Sequence, residues 1–246
     1  LEGNALHWDD PEGAAEATRL FERAIEIDPG YGVAYALLGS LKRAKWRDDP
    51  TNSNTLLDES FALATRAVAL ADNESTCHSL LAQACLAQRS FGLALQHMQR
   101  SVELNPNNQW NVADMGLVLT YIGRAEEALV WSARARQIDP YFDESWHWRQ
   151  NGTACMVLGR YREAVDLFAR ARTLGYRGAA MMAGCHARLG DMDRAQAWVA
   201  ECLSLRPDFS VRHMMSKEPY KFEADAERVA ESLRLAGLPD TAEPAW

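Results

Sequence analysis

The 246-residue sequence lacks the features that mark several large classes of protein. No apolar run approaches the ~18 residues that a membrane span needs. The first residues show no basic segment followed by an apolar core, so no signal peptide is visible. Positive charge is scarce, with 26 Lys and Arg against 34 Asp and Glu, which argues against nucleic acid as a partner. We therefore expect a soluble, mildly acidic, cytoplasmic protein.

Signatures of catalysis and metal binding are also missing. The sequence contains no phosphate-binding glycine loop, no G-x-S-x-G and no H-E-x-x-H. The five cysteines form no C-x-x-C pair, so we interpret them as small packing residues in a reducing compartment. The six histidines are scattered, and His78 is predicted to pack against a partner helix rather than act as a base. We expect no catalytic residue, cofactor or metal in this chain.

What the sequence does contain is a repeat. Small residues spaced seven apart, and therefore on one helix face, recur at intervals of 43, 34, 34, 36 and 31 residues. The pairs are Ala17/Ala24, Ser60/Ala67, Ala94/Ser101, Ala128/Ala135, Ala164/Ala171 and Ala195/Cys202. Four of these helices end at a proline, which cannot continue a helix: Pro29, Pro106, Pro140 and Pro207.

Glycines follow the same repeat. Gly39, Gly116 and Gly152 lie inside apolar helical stretches, where glycine costs about 1 kcal/mol relative to alanine. Their recurrence predicts the close approach of a second helix. Turn glycines follow at positions 123, 159 and 190, so the repeating element is a helix, a tight turn and a second helix. The last interval is short, and we predict its shortened link at residues 175–178.

This pattern resembles the tetratricopeptide repeat, a helical pair of about 34 residues. The segments Gly159–Ala164 with Phe168, and Phe21–Ala24 with Asp28-Pro29, carry the resemblance most clearly. It implies an all-α, right-handed superhelical solenoid of about six helix pairs over residues 1–207, with the first repeat truncated. Residues 208–240 are predicted to form a C-terminal cap, and residues 241–246 a tail. A chain that begins inside a repeat is expected to be a fragment of a longer protein.

The C-terminal part supports a narrower resemblance. Pro207–Ser210, Glu218–Lys221 and Leu233–Asp240 look like the tetratricopeptide region of bacterial class III adenylate/guanylate cyclases and of some winged-helix activators. That resemblance implies an upstream effector domain that this region regulates. A free-standing peptide-binding module and a dimerisation module are the alternatives.

In the tetratricopeptide family the first helix of each pair lines a binding groove. The helix face opposite the packing stripe supplies the candidate partner-binding residues: Gln83, Trp110, Leu117, Tyr121, Trp146, Arg149 and Thr153. Trp, Tyr and Arg are enriched at binding hot spots. The partner is a protein, a peptide or the chain's own upstream effector domain. In the alternative interpretation Trp110 or Trp146 packs against a neighbouring repeat or the cap, whereas Trp148 is predicted to face the packing side.

Overall fold

The computed structural model describes residues 11–51 and 53–241, and within these ranges the regular elements are thirteen helices without a strand. The prediction of an all-α fold is confirmed. The helices are α1 (Pro11–Ile27), α2 (Gly32–Asp48), α3 (Thr55–Leu70), α4 (Ser75–Ala87), α5 (Phe91–Leu104), α6 (Gln109–Tyr121), α7 (Ala125–Ile138), α8 (Ser145–Val157), α9 (Tyr161–Phe168), α10 (Gly175–Arg188), α11 (Met192–Leu205), α12 (Val211–Lys217) and α13 (Glu223–Leu235).

The chain divides into two compact units, one ending at Asp114 and the other beginning at Met115, inside α6. In the first unit α2 packs on α1, α3 and α4, and α4 packs on α5. In the second unit α8 packs on α7 and α9, and α10 packs on α9 and α11. The division at residue 207 that the sequence suggested stays a prediction, and residues 1–10 of the truncated repeat lie outside the described residues.

The helical glycines lie where two helices meet most closely. A Cβ atom on Gly39 would lie 3.0 Å from the carbonyl oxygen of Ser60, and one on Gly116 would lie 3.1 Å from that of Ala128. Ser60 and Ala128 are themselves members of the small-residue pairs, and both are buried. The predicted steric need for glycine is therefore confirmed, since both helices of a pair carry small residues at the crossing.

The tight turns behave as predicted, with one exception in residue type. Gly123, Gly159 and Gly190 have φ of 85°, 74° and 79°, the left-handed conformation that glycine adopts without steric cost. After α4 the same conformation is taken by Arg89, with φ of 59°. The turn geometry is thus retained in a repeat whose sequence lacks the glycine.

Two local predictions about the fifth and sixth repeats are wrong. The helix predicted to run through Ala171 ends at Phe168, because the next residues form a tight turn in which the Arg170 N–H donates to the carbonyl of Leu167. Residues 175–178, predicted as a link, are the first turn of α10. The link is instead residues 169–174.

The C-terminal segment forms α12 and α13, and its role as a cap stays a prediction. Val229 and Leu233 of α13 are fully buried, and α13 packs on α10 and α8. All five cysteines are buried and free, consistent with their predicted packing role, and burial raises the pKa of the Cys77 thiol to about 12. Among the described helices, none combines the length and apolarity needed to cross a membrane.

Candidate partner-binding surface

In the first unit, Gln83 of α4 lies at the centre of a polar network rather than at an open surface. Its Oε1 accepts a hydrogen bond from Nη2 of Arg43 on α2 at 2.6 Å. Its Nε2 donates to Oδ2 of Asp114 on α6 at 2.9 Å, and the hydroxyl of Ser79 donates to the same oxygen at 2.7 Å. Gln83 is only 8% exposed. The network therefore links three first helices, and Gln83 contributes to it with both ends of its amide.

The carboxyl group in this network is electrostatically unusual. Burial raises the pKa of Asp114 to about 6, although the hydrogen bonds from Ser79 and Gln83 and the charge of Arg43 act in the opposite direction. Asp114 interrupts the otherwise apolar stretch of α6, which was the only sequence signal for it. Sequence reasoning missed this residue.

Trp110, at the start of α6, is 44% exposed. Its backbone N–H donates to Oδ1 of Asn108 at 3.0 Å, an N-terminal cap that fixes the first turn of the helix. Exposure at this level leaves part of the indole ring accessible for a partner. Whether it binds one stays a prediction.

In the second unit, Tyr121 at the end of α6 contacts the chain's own C-terminal segment. Its hydroxyl donates to the carboxylate of Glu218, and its ring centroid lies 4.8 Å from that of Tyr220. Its backbone carbonyl accepts from the N–H of Lys221 at 2.8 Å. The sequence raised packing against the cap for Trp110 and Trp146, but it did not predict this contact of Tyr121.

Residues 218–222 lie between α12 and α13, and we call them the docked segment. Besides Tyr121, Glu218 contacts Arg177 of α10, whose Nη1 donates to Oε1 at 2.6 Å. Tyr220 is buried, and burial next to Glu218 raises the pKa of its hydroxyl well above the ordinary value. A non-helical stretch with one carboxylate, one aromatic ring and one backbone N–H thus binds the first helices of the fourth and sixth repeats. The motif Glu218–Lys221 was noticed in the sequence, but nothing in the sequence indicated where it binds.

The remaining candidates lie on α8, apart from Leu117, which is half-buried on α6. Trp146, Arg149 and Thr153 are half-buried and share one face of α8, and we call them the α8 stripe. The Trp146 ring packs edge-on against Phe142, with centroids 5.9 Å apart. Arg149 donates through Nη1 to the carbonyl of Thr173 at 2.7 Å, and the hydroxyl of Thr153 donates to the carbonyl of Arg149 at 3.0 Å. These contacts hold the stripe in a defined conformation.

The side chains on the opposite face of α8 are buried. Trp148 is 4% exposed and donates through Nε1 to Oδ1 of Asp143 at 2.7 Å, so its predicted packing role is confirmed. His147 is fully buried, and burial lowers its pKa to about 4. The helix therefore presents one buried and one half-exposed side.

The described residues include a close pair of histidines in the first unit. His78, as predicted, packs against its partner helix: its Nδ1 lies 3.1 Å from Nδ1 of His97 on α5, and its Nε2 lies 2.9 Å from the carbonyl of Asp72. In the part of the chain that the structure describes, no three His, Cys, Asp or Glu side chains gather where they could hold a metal ion.

Comparison with known proteins agrees with the helical-pair architecture. Residues 176–209, which cover α11 and all of α10 except its first residue, match the family model of the tetratricopeptide repeat. A curated relative, the small glutamine-rich tetratricopeptide repeat-containing protein 2 of Mycosarcoma maydis, is 28% identical over 83 residues. The match covers 34% of this chain and spans only about a quarter (23%) of that relative.

Two solved structures show the same fold. The Cut9–Hcn1 hetero-tetramer of APC/C gives a TM-score of 0.65 at 16% identity, covering 90% of this chain and 40% of that one. TTC0263, a tetratricopeptide repeat protein of Thermus thermophilus, gives a TM-score of 0.54 at 19% identity, covering 73% and 91%. The chain therefore carries a tetratricopeptide repeat at residues 176–209 and has the fold of tetratricopeptide repeat solenoids. Proteins of this kind mediate protein–protein interaction.

Proposed function

We propose that this chain is a non-catalytic module that binds a protein or peptide partner through the α8 stripe. The observation that carries the proposal is the asymmetry of α8. His147 and Trp148 are buried on one side, whereas Trp146, Arg149 and Thr153 are half-buried on the other. A Trp and an Arg that are held in place but still reachable are typical of binding hot spots.

The docked segment supports the same function in a second way. Tyr121 and Arg177 bind a short non-helical stretch of polypeptide by a carboxylate, an aromatic ring and a backbone N–H. First helices of the second unit thus already offer the chemistry that peptide recognition uses. Leu117 on the same helix as Tyr121, and Trp110 in the first unit, are further candidate contacts, whereas Gln83 is engaged in the polar network with Arg43 and Asp114.

The test begins with selection of binding peptides from a displayed random library on the intact chain. Selected peptides are then titrated against the double variant Trp146→Ala/Arg149→Ala and against Arg149→Glu, which leaves the packing of Trp146 on Phe142 intact. Both variants should abolish binding while helical circular dichroism and cooperative melting stay nearly unchanged. Arg162→Ala, an exposed arginine on α9, is the matched control and should bind normally.

Either of two outcomes would contradict the proposal. Unchanged affinity in both stripe variants would mean that the peptide binds elsewhere. Loss of the cooperative melt in Arg149→Glu would mean that the stripe is a packing element.

We further propose a cellular context, on the C-terminal motif resemblance alone. In this context the chain is the regulatory region of a larger bacterial cyclase-like signalling protein in the cytoplasm, or of a winged-helix transcriptional activator. The gene sequence upstream of Leu1 tests it, because it should encode a cyclase or winged-helix domain. If it does, deletion of this region should change the output of that domain. A start codon immediately ahead of Leu1 would defeat the idea, and light scattering after size exclusion would then test dimerisation.

A further inference from the structure

A second candidate site lies on the other side of α8 from the stripe. A cavity of about 580 Å³ opens where the α7–α8 connection meets the end of α9. Its lining includes three arginines and one acid, and we call it the arginine cavity, defined by Arg136, Tyr141, Asp143, Trp148, Arg170 and Arg172. Trp148 and Trp146 are two residues apart on one helix, so they point to opposite faces. The arginine cavity is therefore separate from the α8 stripe.

Two of the arginines are arranged around a single aromatic ring. The guanidinium carbons of Arg136 and Arg170 each lie 4.9 Å from the centroid of the Trp148 ring. The two positive charges are therefore within about 10 Å of each other, roughly one Debye length at 0.1 M salt. Arg136 is held further by the carbonyls of Phe142 and Pro140, to which it donates at 2.9 and 3.2 Å. The ring and the carbonyls orient these cations without neutralising them.

The acid in the cavity is already engaged. Asp143 accepts from Nε1 of Trp148 at 2.7 Å and pairs with Arg172 at 3.4 Å. The hydrogen bond from Trp148, and then the charges of Arg172 and Arg136, hold the pKa of this carboxyl below its ordinary value, so it stays ionised. Among the lining residues one carboxylate faces three guanidinium groups, in a protein whose net charge is −8.

Tyr141 completes the lining. Tyr141 is 92% exposed, the highest exposed fraction among the large hydrophobic residues at the surface of the described chain. Its backbone N–H donates to Oδ1 of Asp139 at 2.9 Å, which fixes the turn that carries it. An aromatic ring with little burial of its own is available to pack against a bound molecule.

We propose that the arginine cavity binds a doubly negative group on a partner polypeptide, either a phosphorylated side chain or two adjacent carboxylates. Guanidinium groups recognise both by paired N–H donors. Binding of this group offsets the positive charge of the lining arginines. No residue that defines the arginine cavity belongs to the α8 stripe.

The experiment uses three fluorescein-labelled hexapeptides on the intact chain. They are identical except for a central phosphoserine-glycine, glutamate-glutamate or serine-glycine pair, and binding is followed by fluorescence anisotropy at about 50 mM and about 300 mM salt. At least one of the two anionic peptides should bind, more weakly at high salt because the contact is ionic. The neutral peptide should not. Whichever anionic peptide binds identifies the source of the charge.

Variants locate the site. The double variant Arg170→Ala/Arg172→Ala should lower the affinity for the anionic peptide at least about tenfold. Arg162→Ala should change this affinity by less than about twofold. The double variant Trp146→Ala/Arg149→Ala should leave the affinity for the anionic peptide unchanged. Failure of this proposal can therefore be distinguished from failure of the proposed function. The proposal is overturned if neither anionic peptide binds, if the neutral peptide binds equally well, or if Arg162→Ala weakens binding as much as the cavity variants do.

Discussion

Nη1 of Arg177 lies 2.6 Å from Oε1 of Glu218, and the two side chains are only 13% and 7% exposed. This ion pair joins α10 to the docked segment, 41 positions further along the chain. For an ion pair buried to this extent, the net contribution of the intact pair to stability differs greatly from the cost of removing one partner. The pair itself contributes little, but removing one partner leaves the other charge buried and unpaired.

Replacing Arg177 by Ala should therefore destabilise the second unit by about 3–5 kcal/mol. Urea unfolding followed by circular dichroism measures this loss. The exposed pair between Arg124 and Glu127 is the control, and Arg124→Ala should cost no more than about 1 kcal/mol. Equal losses in the two variants would show that Glu218 finds another counter-ion or water when Arg177 is removed.

A second prediction concerns Gly152 on α8. A Cβ atom there would lie 2.8 Å from three ring atoms of Phe168, which is itself 1% exposed and has no room to move. Gly152→Ala should lower stability by about 1–3 kcal/mol through overpacking, despite the better helix propensity of alanine.

Gly92 on α5 provides the matched control, because a Cβ atom at that position meets nothing within 4 Å. Gly92→Ala should raise stability by up to about 1 kcal/mol. If close helix contact is the reason for glycine at position 152, thermal melts should show a loss of stability in Gly152→Ala and a gain in Gly92→Ala. A gain in both would refute that explanation.

A third prediction concerns acid pH and His147. The folded state lowers the pKa of this buried imidazole from 6.5 to about 4, chiefly through burial and further through the charge of Arg136. Below pH 6.5 His147 binds a proton in the unfolded chain but stays neutral in the folded chain. The free energy of unfolding therefore falls as the pH drops from 6.5 towards 4. The loss attributable to His147 is roughly 1.4 kcal/mol per pH unit in that window.

His147→Gln should remove this contribution. The unfolding free energy of both proteins is measured by urea titration at half-unit steps from pH 7 to pH 4. It should fall less steeply with decreasing pH in the variant than in the unaltered protein. Parallel curves for the two proteins would contradict a neutral buried histidine.

A fourth prediction has the opposite sign. Asp114 keeps its proton up to about pH 6 in the folded chain, whereas the unfolded chain releases it near pH 3.8. Stability from this group therefore falls as the pH rises from about 4 to about 6. Asp114→Asn should stabilise the first unit at pH 7 by about 1–2 kcal/mol, and the gain should vanish near pH 4. Asp58→Asn, at the exposed start of α3, should show no such gain. A pH-independent effect of Asp114→Asn would contradict the assignment.

Local periodicity explains how much of the fold could be predicted. Small residues seven apart and glycines within helices indicate how the two helices of one pair pack together. A contact such as that of Gly39 with Ser60 joins two helices that follow each other directly in the sequence. The wrong link at residues 175–178 came from treating two glycines as turn residues, although Gly178 is buried within α10.

The candidate surface was harder to predict, because its decisive contacts join distant parts of the chain. Tyr121 and Glu218 are 97 positions apart, and no spacing rule relates them. The network of Arg43, Gln83 and Asp114 likewise depends on how three successive first helices stack, which side-chain periodicity within a single helix does not determine.

The docked segment gives the chain its own competitor. Because residues 218–222 belong to the same chain as the surface that they occupy, their binding there is intramolecular and is governed by an effective local concentration. An outside polypeptide that seeks Tyr121 and Arg177 must outcompete that intramolecular binding. At micromolar concentrations only a partner with far higher intrinsic affinity, or one anchored at a second point on the chain, would displace the segment.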